Sequence, residues 1–490
     1  MAAFSLDPEQ IAWCARLREL AADQLRPLAD KGPPGRVNRP LVAALGEHGL
    51  LARLFESGAL DLCLMRESLA HACTEAETAL ALQGLGAHPI AAFGTDDQRA
   101  RWLPEVVAGR AVAAFALSEP GAGSDAAALS LEAVPDPATG GWRLYGEKRW
   151  ISNAPEADVM TVFARTGERG ETGERGAAAE GEGGSASARA DGRPAGTEAR
   201  EGAAAGGGGD LAGGAGVGGG DLAGGAGVGG GGLAGGAGAG RSGARGVTAF
   251  LVPAGRPGLS GAALDMLAPH ALGSLVFDGV PVGPGDVLGE PGQGFRVAMN
   301  TLNLFRPSVG AFAVGMAQAA LDATLAHTAA RPAFGGVLAD LQAVAHQVAE
   351  MATRTEAARL LVYAAAEAYD RGDPDVPRRA AMAKLFATET AQYVVDAAVQ
   401  LHGARALQRG HLLEHLYREV RAPRIYEGAT EVQRTIIAKE LYRAAHTPRS
   451  APSSPASTAS PAPAPSPSPP PPPPPPASGA TSGVTSGAAT

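Results

Sequence analysis

The sequence is poor in cysteine, with three residues, Cys14, Cys63 and Cys73, in 490. Because they form no C-x-x-C pair, they indicate neither a disulfide framework nor a cysteine-type zinc site, and we expect them to be reduced and buried. Positive charge is also in deficit, since the net charge is -9 at pH 7. This balance argues against broad binding to nucleic acid or to anionic lipid.

Long apolar runs are also missing, and none approaches the ~18 residues of a membrane span. The first seven residues show neither the basic and then apolar pattern of a secretory signal nor an Arg-rich transit pattern. We therefore expect a cytoplasmic protein with no membrane partner. Hydrophobic residues make up 45% and charged residues 19% of the chain, which can support large cores in about two or three domains.

Composition divides the chain into four parts. Residues 1–114 are rich in Ala and Leu at helical spacing, and Asp7-Pro8 has the pattern of an N-cap followed by a first-turn proline. Residues 115–291 contain short strand patterns, including 247–252 and 275–277. Residues 292–446 are again helical, and residues 447–490 are rich in Pro, Ser and Ala. This order predicts an α+β multidomain protein.

Two segments lack the apolar residues needed for a packed core. The Gly-rich insert, residues 166–246, repeats the segment Asp210–Gly218 from Asp221, and each copy offers one Leu and one Val. That is too little burial to offset the entropy of ordering, so we expect a disordered loop joining two strands. The tail after residue 447 contains an uninterrupted proline run. It predicts a solvated polyproline II spacer, with a proline-recognising partner as the alternative.

One carboxylate near the C-terminus has the setting of a general base. Thr430 and Gln433 have capping-box spacing, which predicts that a helix begins there with Thr430 as its N-cap. Glu427 would then lie outside the helix at its positive end, which favours the ionised form. A bound apolar group would raise its pKa again, and a carboxylate so balanced suits proton abstraction from carbon. Taken alone, an acid at a helix N-terminus more commonly has only this electrostatic role, since acids are common there.

The surrounding motifs decide between these interpretations. Four segments occur in order: 115–125 (FALSEPGAGSD), 148–153 (KRWISN), 331–342 (RPAFG and then Gln342), and 400–404 (QLHGA) with 426–428 (YEG). Together they resemble the signatures of the acyl-CoA dehydrogenase family. The resemblance implies an N-terminal all-α domain (1–114), a middle β-sheet or barrel domain (115–291) and a C-terminal four-helix bundle (292–446).

The resemblance also implies a reaction. An acyl-CoA thioester would be oxidised to trans-2-enoyl-CoA, with Glu427 taking the α proton and flavin N5 of FAD taking the β hydride. The backbone N–H of Glu427 and a ribityl hydroxyl would donate to the thioester oxygen. Electrons would pass to an electron-transferring flavoprotein, and the protein would be a homotetramer or homodimer. Other relatives carry the base at the position of Phe305, which cannot take a proton. Its bulk hints at a short, branched or cyclic acyl group.

The family's other site residues are carried over by position. Contacts with the flavin ring are implied for Phe115, Leu117, Ser118, Trp150 and Ser152. Contacts with the adenine and diphosphate of the FAD in a neighbouring subunit are implied for Arg331, Phe334 and Gln342, and the partner side of that site is implied for Gln400, Gly403 and Ala404. Cofactor contacts beside Glu427 are implied for Ala429 and Glu431. Substrate contacts are implied for Ser124, Arg306 and Gly428, with a structural ion pair as the alternative for Arg306. Three positions depart from the family pattern: Ala404 replaces a glycine, Ala429 a threonine, and Glu431 a shorter or neutral residue.

Three other interpretations of the sequence are possible. His411-Leu-Leu-Glu-His415 matches a zinc signature, H-x-x-E-H, but it lies inside the family segment and lacks an identifiable third ligand, so we expect no metal site. A flavin-dependent oxidase or monooxygenase offshoot is a second enzyme class. A non-catalytic flavoprotein or interaction module is the third possibility. Retention of Glu427 favours dehydrogenation.

Overall fold

A computed structural model describes residues 6–167 and 245–446. Most of the Gly-rich insert and the whole proline-rich tail lie outside the described residues, and with them the expectations of a disordered loop and a polyproline II spacer. The ends of the insert are described: Thr166 N donates to Gly246 O at 2.8 Å. The strands on either side of them, Val159–Arg165 and Val247–Pro253, pair antiparallel. The insert therefore connects two neighbouring strands of one sheet, as predicted.

The N-terminal region is helical. Its first helix begins at Pro8, after an Asp7 N-cap whose side chain accepts from Gln10 N while the Gln10 side chain accepts from Asp7 N. The predicted cap is thus confirmed. Leucines from several of these helices form one core. The α-helices are α1 (Pro8–Leu20), α2 (Arg26–Ala29), α3 (Arg39–Glu47), α4 (Leu50–Glu56), α5 (Ala59–Ala72), α6 (Thr74–Phe93) and α7 (Asp96–Val107).

The middle region is a mixed, mainly antiparallel sheet. Its strands are β1 (Ala113–Ala116), β2 (Glu132–Asp136), β3 (Gly141–Ser152), β4 (Val159–Arg165), β5 (Val247–Pro253), β6 (Leu259–Ala263), β7 (Leu272–Val282) and β8 (Val287–Leu288). They lie in the order β6-β7-β3-β2-β4-β5-β8, and β1 pairs in parallel with β4. The strand predictions at 247–252 and 275–277 fall within β5 and β7.

The C-terminal region is helical again. It comprises α8 (Gly294–Ala330), a short hairpin of β9 (Pro332–Ala333) and β10 (Gly336–Val337), α9 (Gln342–Asp370), α10 (Val376–His402), α11 (Leu412–Glu419) and α12 (Thr430–His446). The three long helices α8, α9 and α10 share a core to which α5 also contributes, through Cys63, Leu64 and Ala70. The order helical, sheet, helical confirms the predicted fold class.

The expectation that no segment is apolar enough to span a membrane is wrong for one helix. Among the described residues, α8 has an 18-residue window with mean hydropathy 1.4, long and apolar enough by length and composition. Of that window, 72% is buried inside the protein. A helix surrounded by packed helices is hydrophobic on all sides, so the apolar character of α8 is that of a central core helix.

Candidate active site

The loop between α11 and α12 holds Glu427 in a strained conformation. Its φ is +52°, in the left-handed region, and the next residue, Gly428, has φ +95°. A left-handed conformation costs a non-glycine residue about 1–2 kcal/mol. At Gly428 a side chain is disfavoured twice, because a Cβ atom would also lie 2.5 Å from Gln433 Nε2 and would displace that amide. Strain of this kind marks places where the surroundings impose a backbone geometry.

Side chains from three helices impose that geometry through two carbonyl oxygens. Arg306 Nε of α8 donates to Glu427 O at 3.3 Å, and Lys384 Nζ of α10 donates to Gly428 O at 2.7 Å. Gln433 Nε2 of α12 donates to both oxygens, at 3.1 and 2.9 Å. Hydrogen bonds from charged donors are stronger than neutral ones. The loop that carries Glu427 is therefore fixed by its backbone, which leaves the carboxylate to project on its own.

Glu427 is a half-buried residue whose carboxylate lies in a cationic environment. Its Oε2 atom is inaccessible to solvent and accepts no hydrogen bond from any described residue. Burial raises the pKa of Glu427 above its ordinary value, while the charges of Arg66, Lys384 and Arg306 act in the opposite direction. This is the balance expected of a base that removes a proton from carbon: desolvated enough to be basic, yet surrounded by charges that favour its ionised form.

The capping box predicted at Thr430 and Gln433 is wrong. Thr430 is the first residue of α12 itself, and its hydroxyl donates to Glu389 Oε1 at 2.7 Å. The Gln433 amide is already occupied by the carbonyl oxygens of Glu427 and Gly428. The Gln433 side chain thus serves the loop before the helix, because a buried carbonyl oxygen without a donor is costly.

A second group of site residues lies where β1 ends beside β3. Arg149 N of β3 donates to Ser118 O at 3.0 Å. The fully buried Lys148 donates to Leu117 O at 3.0 Å and to Glu119 Oε1 at 2.7 Å. Lys148 and Glu119 were part of the sequence motifs without an assigned role. The structure shows that this buried ion pair joins the segment 117–119 to β3.

The residues predicted to contact the flavin ring lie on β1, on the segment 117–119 and on β3, and two of them have unused hydroxyl groups. A register shift between Lys148 and Ile151 in the β3–β7 pairing gives Trp150 a φ of +58° and leaves its side chain 45% exposed. The hydroxyls of Ser118 and Ser152 bond to no other described residue, whereas Phe115 packs on Phe163 with ring centroids 4.9 Å apart. An exposed aromatic ring and free hydroxyl groups suit contact with a flavin ring.

The third group is not brought to Glu427 within one chain. Arg331, Phe334 and Gln342 lie at the β9–β10 hairpin and the start of α9, all exposed, with Phe334 at 91%. Gln400, Gly403 and Ala404 are likewise exposed at the end of α10. Gly403 has φ +65° and ψ −150°, a conformation open almost only to glycine. Ala404 has no positive φ, so its replacement of a glycine introduces no backbone strain.

The remaining predicted residues have simpler settings. Ser124 is exposed on the loop after β1, Glu431 is exposed in the first turn of α12, and Ala429 is partly buried. Arg306, for which a structural ion pair was the alternative, is buried and forms no ion pair among the described residues; its second hydrogen bond joins Nη1 to Asn303 Oδ1 at 3.3 Å.

The two histidines of the H-x-x-E-H segment have different partners. His411 Nδ1 caps α11 by accepting from Leu413 N at 3.1 Å, and His415 Nε2 lies 2.6 Å from Thr74 Oγ1. Among the described residues, no group of three or more His, Cys, Asp or Glu side chains is placed to hold a metal ion.

Sequence reasoning missed three buried charged residues: Lys384, Arg66 and Glu77. Lys384 and Arg66 lie in mainly apolar helix segments, AAMAK and CLMRESLA, and Glu77 pairs with Arg66. A charged residue within a mainly apolar helical stretch is the signal that could have found Lys384 and Arg66, because such residues are rarely buried without a partner.

Comparison with known proteins identifies the family. Models of the N-terminal, middle and C-terminal domains of acyl-CoA dehydrogenase match residues 7–110, 114–184 and 292–442. This chain belongs to the acyl-CoA dehydrogenase family. The short-chain specific acyl-CoA dehydrogenase of Bos taurus mitochondria is 31% identical over 438 residues, covering 87% of this chain and 88% of the relative.

Two solved structures have a similar fold. Butyryl-CoA dehydrogenase from Megasphaera elsdenii is 27% identical, with a TM-score of 0.71, and the match covers 90% of this chain and all 100% of that one. A structure described as the electron transferring flavoprotein of Acidaminococcus fermentans gives 27% identity, a TM-score of 0.70 and the same coverage. Acyl-CoA dehydrogenases are oxidoreductases acting on CH–CH bonds, and their cofactor is FAD, as the sequence motifs predicted.

Proposed function

We propose that this chain is an FAD-dependent dehydrogenase that converts a short acyl-CoA thioester to the trans-2-enoyl-CoA, with Glu427 as the base that removes the α proton. The observation that carries the proposal is the Glu427 loop: a desolvated, unpartnered carboxylate on a strained backbone fixed by Arg306, Lys384 and Gln433. A merely electrostatic acid would need neither the strain nor the three donors.

Different residues of this chain would remove the proton, favour the ionised base and bind the thioester oxygen. Glu427 takes the proton; burial raises the pKa of its carboxyl group, and the nearby cations Arg66, Lys384 and Arg306 act against that shift and favour the ionised form. Because the carbonyl oxygens of residues 427 and 428 are held from one side, the Glu427 N–H is oriented by the same loop and can donate to a thioester oxygen as negative charge develops there. Trp150, Ser118 and Ser152 would hold FAD, which would supply the hydride acceptor when bound.

A short acyl group is supported by packing between α6 and α8. The Phe305 ring fills that space so closely that a Cβ atom on Gly84 would lie 2.8 Å from Phe305 Cζ. Phe305 belongs to the leucine-rich core formed by the N-terminal helices. A long chain entering there would have to displace a packed aromatic ring. The names of the bovine short-chain and the Megasphaera butyryl-CoA relatives agree with this size.

We further propose a homotetramer or homodimer that passes electrons to an electron-transferring flavoprotein. The exposed diphosphate residues Arg331 and Phe334 of one copy would complete the FAD site with Gln400 and Gly403 of another. The structure from Acidaminococcus fermentans, described by its electron transferring flavoprotein, supports that acceptor class.

The test is anaerobic addition of butanoyl-, 2-methylpropanoyl- and octanoyl-CoA to the purified flavoprotein. We expect bleaching of the flavin and formation of the 2-enoyl product with the short thioesters, followed by reoxidation with an electron-transferring flavoprotein faster than with oxygen. Rapid reoxidation by oxygen would instead identify an oxidase. Flavin that no thioester bleaches would overturn the proposal.

A further inference from the structure

The segment that carries Glu427, residues 424–430, is closed at its two ends. Thr430 N donates to Arg424 O at 3.1 Å, so the backbone returns to its starting point after six residues. The side chain of Arg424 is half-buried and that of Thr430 is buried at this point. A group that contacts both side chains would therefore fix the place at which the segment closes.

One carboxylate of α10 contacts both ends of the 424–430 segment. Glu389 Oε1 accepts from Thr430 Oγ1 at 2.7 Å, and Glu389 Oε2 forms an ion pair with Arg424 Nη2 at 2.8 Å. Because each oxygen has a different partner, the carboxylate can rotate only by losing one of them. Glu389 thus anchors the closed ends to α10.

The same helix also holds the middle of the segment. Lys384, five residues before Glu389 on α10, donates from Nζ to Gly428 O at 2.7 Å. Glu427 lies between these points of attachment with a φ of +52°. A strained residue keeps its conformation only where its surroundings fix the backbone, and α10 supplies such contacts at both ends and in the middle.

Stability alone does not account for the Glu389 anchor. The side chains of Arg424 and Glu389 are 31% and 32% exposed, and ion pairs open to water contribute little to the free energy of unfolding. Charge-assisted hydrogen bonds also impose geometry on the groups that they join. The expected consequence of losing Glu389 is therefore a displaced segment in a folded protein.

We propose that Glu389 is a positioning residue for the candidate base: it holds both ends of the 424–430 segment on α10 and so keeps Glu427 in the geometry that proton removal requires. This inference rests on the proposed dehydrogenation. Its effect on the rate follows from placement, because a shift of about 1 Å near a reacting group can lower a rate about 100-fold.

The test compares three variants of the holoenzyme with a control. Glu389→Ala removes both contacts, whereas Glu389→Gln keeps an acceptor for Thr430 and loses the ion pair with Arg424. The double variant Arg424→Met/Thr430→Val releases the same two ends but keeps the charge of Glu389. The matched control is Glu414→Gln, which breaks a partly buried ion pair with Arg418, 2.8 Å long, within α11.

The rate of flavin reduction and the thioester dissociation constant are measured for each protein. We expect Glu389→Ala and the double variant to reduce the flavin about 10- to 100-fold more slowly at saturating thioester, with an unchanged dissociation constant. Glu389→Gln should lie between Glu389→Ala and the wild type, because one of its two contacts survives. The control should match the wild type.

The pH profile of flavin reduction separates positioning from a loss of folded protein. Burial raises the pKa of Glu427, and a carboxylate released toward water loses that effect. The acidic limb should therefore move to lower pH in Glu389→Ala and in the double variant. A variant that is only less stable would bind less flavin and leave the limb in place.

Hydrogen exchange of the backbone amides of residues 425–430 gives a readout that does not depend on turnover. These amides should exchange about 10-fold faster in Glu389→Ala and in the double variant than in the wild type and the control, which corresponds to about 1.4 kcal/mol.

Two failures can be told apart. If the wild type reduces its flavin and Glu389→Ala matches its rate, its acidic limb and its amide exchange, the positioning role is overturned and the proposed function stands. If no thioester reduces the wild-type flavin, the proposed function is overturned and the positioning role with it. Faster exchange in the variants would then show only that Glu389 anchors the segment.

Discussion

Lys384 offers a separate test of how the Glu427 loop is held. Its side chain is fully buried in α10 and donates to Gly428 O at 2.7 Å, and burial lowers its pKa to about 8. Replacement by Met keeps the volume but removes a charge-assisted hydrogen bond worth about 1.5–3 kcal/mol. If that energy places Glu427 for proton abstraction, kcat/KM should fall by about 10- to 100-fold.

The pH dependence of stability gives this prediction a second readout. A lysine whose folded pKa is about 8, against an ordinary value near 10.5, binds fewer protons when folded than when unfolded between those pH values. The free energy of unfolding of the wild type should therefore rise relative to Lys384→Met as the pH increases through this range. At about 1.4 kcal/mol per pH unit, the gain between pH 7 and 9.5 is about 2 kcal/mol.

Urea denaturation at both pH values and a pH profile of kcat/KM measure the two effects. The charge of Lys384 lowers the pKa of Glu427, so its loss should also move the acidic limb of the profile to higher pH. Lys439→Met, at an exposed position of α12, is the control. A variant with wild-type kcat/KM and an unmoved acidic limb would refute the role given to Lys384.

Substitutions at His88, Gly403 and Lys148 provide three further tests. Burial lowers the pKa of His88 to about 4, so the free energy of unfolding of the wild type should fall by about 3 kcal/mol between pH 6.5 and 4. The variant His88→Gln should lack this loss. Identical acid denaturation curves for the two proteins would contradict the prediction. Gly403→Ala should cost about 1–3 kcal/mol of strain and lower the FAD bound per chain, measured by absorbance. Lys148→Met should lower the free energy of unfolding by about 3–5 kcal/mol, measured by thermal unfolding, and adding Glu119→Gln should restore part of that stability. Equal losses of stability in the single and double variants would argue against a coupled ion pair.

The sequence was most informative where local patterns determine local structure. The Asp7 cap, the strand at 247–252 and the position of the Gly-rich insert between paired strands all follow from short stretches of chain. The identity of Glu427 came from a motif, and the structure adds the reason for its neighbour: Gly428 needs a positive φ and has no space for a side chain.

Interactions between distant segments could not be read from the sequence. Lys384 and Gly428, or Arg66 and Ser308, meet only through packing of whole helices. The error at Thr430 has the same origin, because its hydroxyl bonds to Glu389 on α10. Gln433 instead bonds to carbonyl oxygens of the loop just before its helix. Arg331 and Gly403 were assigned to different subunits by resemblance, and both are exposed on the single chain.

The central claim is that Glu427 removes the α proton, and the most direct measurement is anaerobic flavin reduction in Glu427→Gln. The substitution keeps the shape of the side chain and the loop carbonyl bonds while removing the base. With saturating butanoyl-CoA, or the best thioester found, we predict bound FAD and unchanged thioester affinity. The rate of flavin bleaching should fall by at least the roughly 10²–10⁴-fold that general-base catalysis supplies. Bleaching at the wild-type rate would show that another group takes the proton and would contradict the account.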